Sequence, residues 1–266
     1  MFNLFPKEFT EKKTIYTKDS IYSILEQYKD HTNEFSERDI SSILETLEKI
    51  SQSHSILETK TLIKTKEVIE SYYIEDVINQ YQTLLKQKSE TKLLESKWQE
   101  FFRKHTWIFS YILSLPVILH EDSAYVGGKR VSNLNGKITD FLIKNNLTKN
   151  VSFIEIKTHK TELIKKGTPY RGQDVYPLSS ELTGAINQVL NQRDNFQKEF
   201  WALKGKGCED FQTFNSNCVV LAGSISELKN AVDSFELFRG NSKDVLIITF
   251  DELLERIKNI QNILTQ

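Results

Sequence analysis

The apolar positions of the chain change period along its length. Through the first ninety residues they recur every three or four places. Ile21, Ile24, Leu25 and Tyr28 form one such stripe. Ile40, Ile43, Leu44, Leu47 and Ile50 form a second, behind the capping-box-like Ser36-Glu37-Arg38-Asp39. A third runs through Val68, Ile69, Tyr72, Tyr73, Val77, Ile78, Tyr81, Leu84 and Leu85, after a polar break at Ser51–Ser55. Stripes at this spacing are the buried faces of amphipathic helices. Leu94, Trp98, Phe101 and Phe102 continue the helical period, and Pro116 stops the segment that follows. From Val117 the pattern becomes that of strands. Val117–His120 begins one, and two alternating, β-branched and aromatic arms follow, Gly136–Ile143 and Val151–Lys157, joined by the polar turn Lys144–Asn150. Ser179 or Ser180 then caps a helix carrying Leu182, Ala185, Ile186, Val189, Phe196 and Phe200. Cys218–Ala222 and Val245–Phe250 are short continuous apolar runs, as central strands require, each followed by an amphipathic helix.

From about residue 90 the order is helix, three strands, helix, strand, helix, strand, helix, which predicts an α/β sheet sandwiched by helices. Residues 1–90 contain no glycine and one proline, Pro6, so they read as an α-helical accessory or assembly domain before an α/β domain at 91–266. Glycines at 127, 128 and 136 allow turns before the hairpin, and Thr158–Pro177 reads as a polar loop leaving it.

Composition narrows the class. The net charge is −1 with 27% charged residues, and no apolar run approaches the roughly eighteen residues that span a bilayer. Met1–Pro6 is too short for a secretory core, and Cys208 and Cys218 lack metal-ligand spacing, so a cytoplasmic protein is expected, with no membrane partner. Charge is uneven: Asp140–Lys206 holds eleven Lys/Arg against seven Asp/Glu, and Cys208–Gln266 five against nine. A positive bias around the hairpin suits a phosphate-backbone ligand, although a solvated face explains it equally well.

The hairpin carries the candidate chemistry. With its turn centred between Leu147 and Thr148, antiparallel pairing sets Asp140 opposite Glu155. Opposed residues have Cβ atoms about 4.5–5.5 Å apart, and two carboxylates that close repel unless a cation lies between them. A divalent metal with oxygen ligands is the usual solution. Lys157, two residues after Glu155, leaves the same sheet face. Half-exposed strands with solvated charges are the simpler reading, but these three charges interrupt arms otherwise built of Ile138, Phe141, Leu142, Ile143, Phe153, Ile154 and Ile156. Buried charges are costly unless paired or metal-bound.

Asp140 followed by Glu155-Ile156-Lys157 resembles the core of the PD-(D/E)xK nucleases, and the likeness extends further. Glu95–Phe102, Ile138–Leu142, Phe153–Lys157, Tyr176–Gln188, Phe235–Arg239 and Ile248–Leu254 resemble the nuclease domain of the Shedu anti-phage defence family, over about two-thirds of the chain. The resemblance implies a PD-(D/E)xK-like mixed sheet flanked by helices and metal-dependent cleavage of DNA phosphodiesters, on double-stranded phage DNA. It implies Asp140 and Glu155 as metal ligands, with the Ile156 carbonyl, Lys157 beside the attacking water, and Gln188 as an accessory residue on the next helix. Thr139 stands where the superfamily has proline, a position that supplies no chemistry. Mg²⁺ fits a donor set made only of oxygen, with Mn²⁺ able to substitute. A homo-oligomer is expected, a tetramer on the family's pattern. Glu95 and Gln99 either point into the site or solvate their helix; His159 reads as a loop histidine rather than a base, and His31 and His54 as surface residues. Two rivals stay open: a catalytically silent DNA-end sensor, and an oligomeric scaffold assembled through the N-terminal helices.

Overall fold

The structure is a computed structural model that describes residues 26, 34–52, 59–88, 91–125, 138–167, 169–172, 174–207 and 211–264. The stripe at 21–28, the glycines 127, 128 and 136, and Cys208, His31 and His54 lie outside the described residues. Helix α1 spans Glu37–Gln52 and α2 Thr59–Leu85, then come α3 (Thr91–Lys104), α4 (Ile108–Leu113), β1 (Val117–Tyr125), β2 (Ile138–Asn145), β3 (Asn150–Ile156), α5 (Ser180–Gly207), β4 (Gln212–Leu221), α6 (Val232–Asn241), β5 (Val245–Ile248) and α7 (Phe250–Leu264). The caps follow the sequence. Asp39 accepts from the Ser36 amide at 2.9 Å while the Asp39 amide donates to Ser36 Oγ at 3.3 Å, closing a box at the start of α1. Ser179 caps α5, its Oγ accepting from the Leu182 amide at 3.0 Å.

The five strands form one mixed sheet in the order β1-β2-β3-β4-β5. The first three are an antiparallel meander; β4 and β5 add in parallel because the helical crossovers α5 and α6 return the chain to the same end. Alternation divides the strands between two cores. Phe141, Ile143, Ile154, Ile156, Val219 and Leu221 face α3, α4 and α7. Leu142, Val151, Phe153, Val220 and Ile247 face α5 and α6. Every side chain of β3 from Val151 to Ile156 is therefore buried, Glu155 included.

The hairpin has the register its turn predicts. Phe141 pairs with Ile154 and Lys144 with Val151, so the next step sets Asp140 across from Glu155. Asn145 Oδ1 fixes the turn by accepting from the amides of Leu147 and Thr148 at 2.8 and 3.0 Å.

By its contacts the chain divides into two compact units, residues 1–65 and 66–266, the second of which takes in residues 66–90. The cause is the second half of α2, whose Ile74, Val77, Ile78 and Tyr81 are buried in the core under α3 and α7. Tyr81 donates to the Phe250 carbonyl at 2.8 Å, and its ring lies 4.7 Å from that of Trp98. No helix among the described residues is long and apolar enough to cross a membrane.

One glycine matters for the site. Gly223, just past β4, has φ +62°, and a Cβ there would stand 2.5 Å from Leu163 Cγ and 2.6 Å from the Thr161 carbonyl oxygen. Its amide donates to the Thr158 carbonyl at 2.9 Å, which clamps the chain leaving β3 onto the end of β4.

Candidate active site at the open end of the hairpin

Asp140 and Glu155 stand where the β2–β3 ladder gives out. Instead of continuing the strand pairing, the Ile156 amide donates to Asp140 Oδ2 at 2.7 Å. The other oxygen, Oδ1, accepts from Gln99 Nε2 of α3 at 2.9 Å. Glu155, only 1% exposed, has both oxygens engaged: Oε1 accepts from Lys157 Nζ at 2.6 Å and Oε2 from Gln192 Nε2 of α5 at 3.1 Å. Lys157 also donates to Gln188 Oε1 at 3.3 Å. Gln188 and Gln192 are one helical turn apart, beside the buried Leu182–Ala185–Val189 stripe that anchors α5 on the sheet. Four elements thus converge on one cluster: β2 and β3 supply the carboxylates, Lys157 follows directly after β3, and α3 and α5 supply glutamines that orient the carboxylates.

A family model described as "Shedu protein SduA, C-terminal" matches residues 92–254, a span that contains every residue of this cluster. The chain belongs to the Shedu SduA family. It is also similar to Shedu protein SduA of Bacillus cereus (strain B4264), with 41% identity over 181 residues, 65% of this chain and 47% of the relative. The chain spans about half the length of that curated Shedu protein.

In this Shedu chain the cluster holds more negative than positive charge. Burial, followed by the neighbouring Glu155, raises the Asp140 carboxyl to about 7; Glu95 adds to this, while the Ile156 amide and Lys157 act against it. Burial likewise raises Glu155, although Lys157 and Gln192 oppose it. Lys157 loses solvation too, but the Glu155 carboxylate outweighs that loss, and Glu95 and Asp140 reinforce it, so its pKa rises. Its ammonium therefore stays protonated through the neutral range. Burial first, and the second carboxylate after it, thus leave Asp140 as a carboxyl that resists ionisation, and one lysine does not offset them.

Of the residues the sequence singles out, the structure brings Asp140, Glu155, Lys157 and Gln188 together and adds Gln99 through its bond to Asp140. Glu95 reaches the cluster through its charge. Ile156 lies at its edge, with its amide on Asp140. His159 is turned away from base chemistry. The Trp98 indole, which can only donate, gives its N–H to His159 Nδ1 at 3.2 Å, so the ring is held neutral with its proton on Nε2. Burial and Lys160 lower its pKa further. Sequence reasoning missed Gln192, which is 2% exposed. Its spacing of four from Gln188 was the available signal.

The available donors are the oxygens of two buried carboxylates, Asp140 and Glu155, with one lysine beside them. That suits a hard divalent cation. Among the described residues no group of three or more His, Cys, Asp or Glu side chains gathers as a metal cluster, so any ion there relies on backbone or solvent oxygen for its remaining ligands.

Proposed function

We propose that this chain is a metal-dependent DNA nuclease of the PD-(D/E)xK type that serves anti-phage defence. The observation that carries the reading is the convergence of Asp140, Glu155 and Lys157 at the open end of one hairpin, with a charge deficit that a cation relieves. Asp140, Glu155 and the Ile156 carbonyl are the residues that would hold Mg²⁺ or Mn²⁺. When bound, such an ion acidifies water and offsets negative charge on phosphate.

The remaining roles fall to the chain itself. Lys157 is tethered between Glu155 and Gln188 and keeps its charge, so it acts as a fixed cation for the phosphate rather than as a base. Gln192 and Gln99 each donate to one carboxylate oxygen, which fixes the rotamers of Glu155 and Asp140 before substrate arrives. Double-stranded DNA is the proposed partner and a cytoplasm exposed to phage the proposed setting. Ile40 and Leu44, 48% and 61% exposed on one side of α1, favour assembly into a homo-oligomer through the helical unit.

Cleavage of linear and circular duplex DNA with and without Mg²⁺ or Mn²⁺ tests the reading. Asp140→Ala and Glu155→Ala are expected to abolish both turnover and calorimetric metal binding. Lys157→Ala is expected to retain metal but lose about a hundredfold or more in rate. Cutting by an Asp140→Ala/Glu155→Ala double variant would end the assignment.

A further inference from the structure

A concavity that the nuclease reading does not use lies along the chain that follows Lys157. It encloses about 690 Å³, within the range of roughly 300–1,000 Å³ typical of small-molecule sites. One wall is the segment from His159 to Gly167, which begins two residues after Lys157; the others are the end of α2 and the turn before α6. Six lysines line it, Lys86, Lys88, Lys160, Lys165, Lys166 and Lys229, against two glutamates, Glu162 and Glu227. Lys166 pairs with Glu162 at 3.4 Å. The other five have no carboxylate partner among the described residues. Like charges gathered round one hollow repel one another, and an anion placed among them removes that repulsion.

The floor is of a different kind. Leu163, Ile164, Leu228 and Ala231 are buried apolar residues of the core, and the half-buried Tyr176 ring completes the lining. An extended polyanion such as duplex DNA calls for cations along an open track. Here they rim a half-open hollow with an apolar and aromatic base, which suits a compact ligand with phosphate at one end and a flat, weakly polar body at the other.

We propose that this cavity is a binding site for a free nucleotide, its phosphates on the lysine rim and its base against Tyr176 and the leucine floor. The site stands apart from the carboxylate cluster and does not depend on the nuclease reading. Its occupant presses on the same Thr158–Leu163 turn that Gly223 clamps behind Lys157.

Isothermal titration of the full chain with ATP, without DNA or added metal, tests this. Saturable binding at one site per chain is expected. Lys165→Glu and Lys229→Glu change exposed side chains and leave the melting temperature unchanged; each is expected to weaken ATP about tenfold through loss of a charge-assisted phosphate contact. Tyr176→Ala is expected to weaken ATP while leaving inorganic triphosphate unaffected, and Asp140→Ala to leave ATP binding intact. No saturable binding at millimolar ATP, or charge reversals that bind ATP like the parent, would overturn the proposal. So would loss of ATP binding in Asp140→Ala, which would put the nucleotide in the carboxylate cluster. Charge reversals that weaken a short DNA duplex while the parent ignores ATP would assign the lysines to the DNA path and reject the nucleotide.

Discussion

Replacing Asp140 with asparagine is expected to stabilise the metal-free protein at about pH 8 and to have little effect at about pH 4, the opposite of what losing a buried ion pair would do. The native carboxyl titrates at about 7 against an ordinary 3.8, because burial and Glu155 disfavour its charge. As pH rises from about 4 to about 7 the unfolded chain gives up this proton first, so the native state binds more protons and stability falls with pH; above about 7 the loss is complete. Moving a carboxyl from 3.8 to about 7 corresponds to about 4 kcal/mol. Asp140 keeps some contact with solvent, and screening brings the expected gain to about 2–3 kcal/mol. Asparagine can keep both hydrogen bonds. Its Oδ1 accepts from the Ile156 amide, and its NH₂ meets Gln99 once that amide rotates to present oxygen. Urea and thermal unfolding with a chelator present, from about pH 4 to about pH 8, measure the difference, expected as about 5–10 °C in Tm at the upper end. A variant no more stable than the parent at about pH 8, or one that gains as much at about pH 4, refutes the reasoning. If Asp140 and Glu155 hold Mg²⁺ as proposed, excess Mg²⁺ reverses the order, since only the parent keeps both carboxylates.

Gln192→Leu removes the donor to the Glu155 oxygen farther from Lys157; it is expected to cost about 1–3 kcal/mol in stability and to move the acid limb of the cleavage pH profile upward, because an unbonded buried carboxylate takes up its proton more readily. A profile that keeps its shape would make Gln192 a packing residue only. Gln188→Ala should slow cleavage with metal binding and Tm unchanged, since Gln188 is exposed and touches only Lys157 within the cluster; an unchanged rate removes it from the site. Gly223→Ala drives a methyl group into Leu163 and the Thr161 carbonyl at a left-handed backbone position, at an expected cost of about 2–4 kcal/mol, read by urea midpoint. Ile40→Glu/Leu44→Glu places charge on the exposed stripe of α1 and should shift the light-scattering mass toward the monomer; an unchanged mass removes that stripe from assembly.

Much of this fold is local chemistry and was therefore legible in the chain. The Ser36 and Ser179 caps, the alternation of β2 and β3 and the Asn145 turn each depend on neighbours a few residues away. The turn fixes the register, the register sets Asp140 across from Glu155, and the two-residue repeat puts Lys157 on the same face. The sequence also marked β4 only from Cys218, where it is buried on both faces. Its first half, Gln212–Asn217, is polar and is a strand because Asn150 and Lys149 of the hairpin pair with it, across a separation no local pattern reports. The placement of the second half of α2 was likewise invisible: an amphipathic stripe says that a face is buried, not against what, and only the assembled sheet offers Tyr81 the Phe250 carbonyl and the Trp98 ring. Gln192 is the same case within the site. On a helix it is one polar residue among several, and it becomes the ligand of Glu155 only because α5 crosses the sheet where that carboxylate is buried and needs a donor. Periodicity and turn chemistry decide which residues share a face, whereas long-range packing decides which faces meet, because loop closure lets many distant partners compete and only the complete core selects among them.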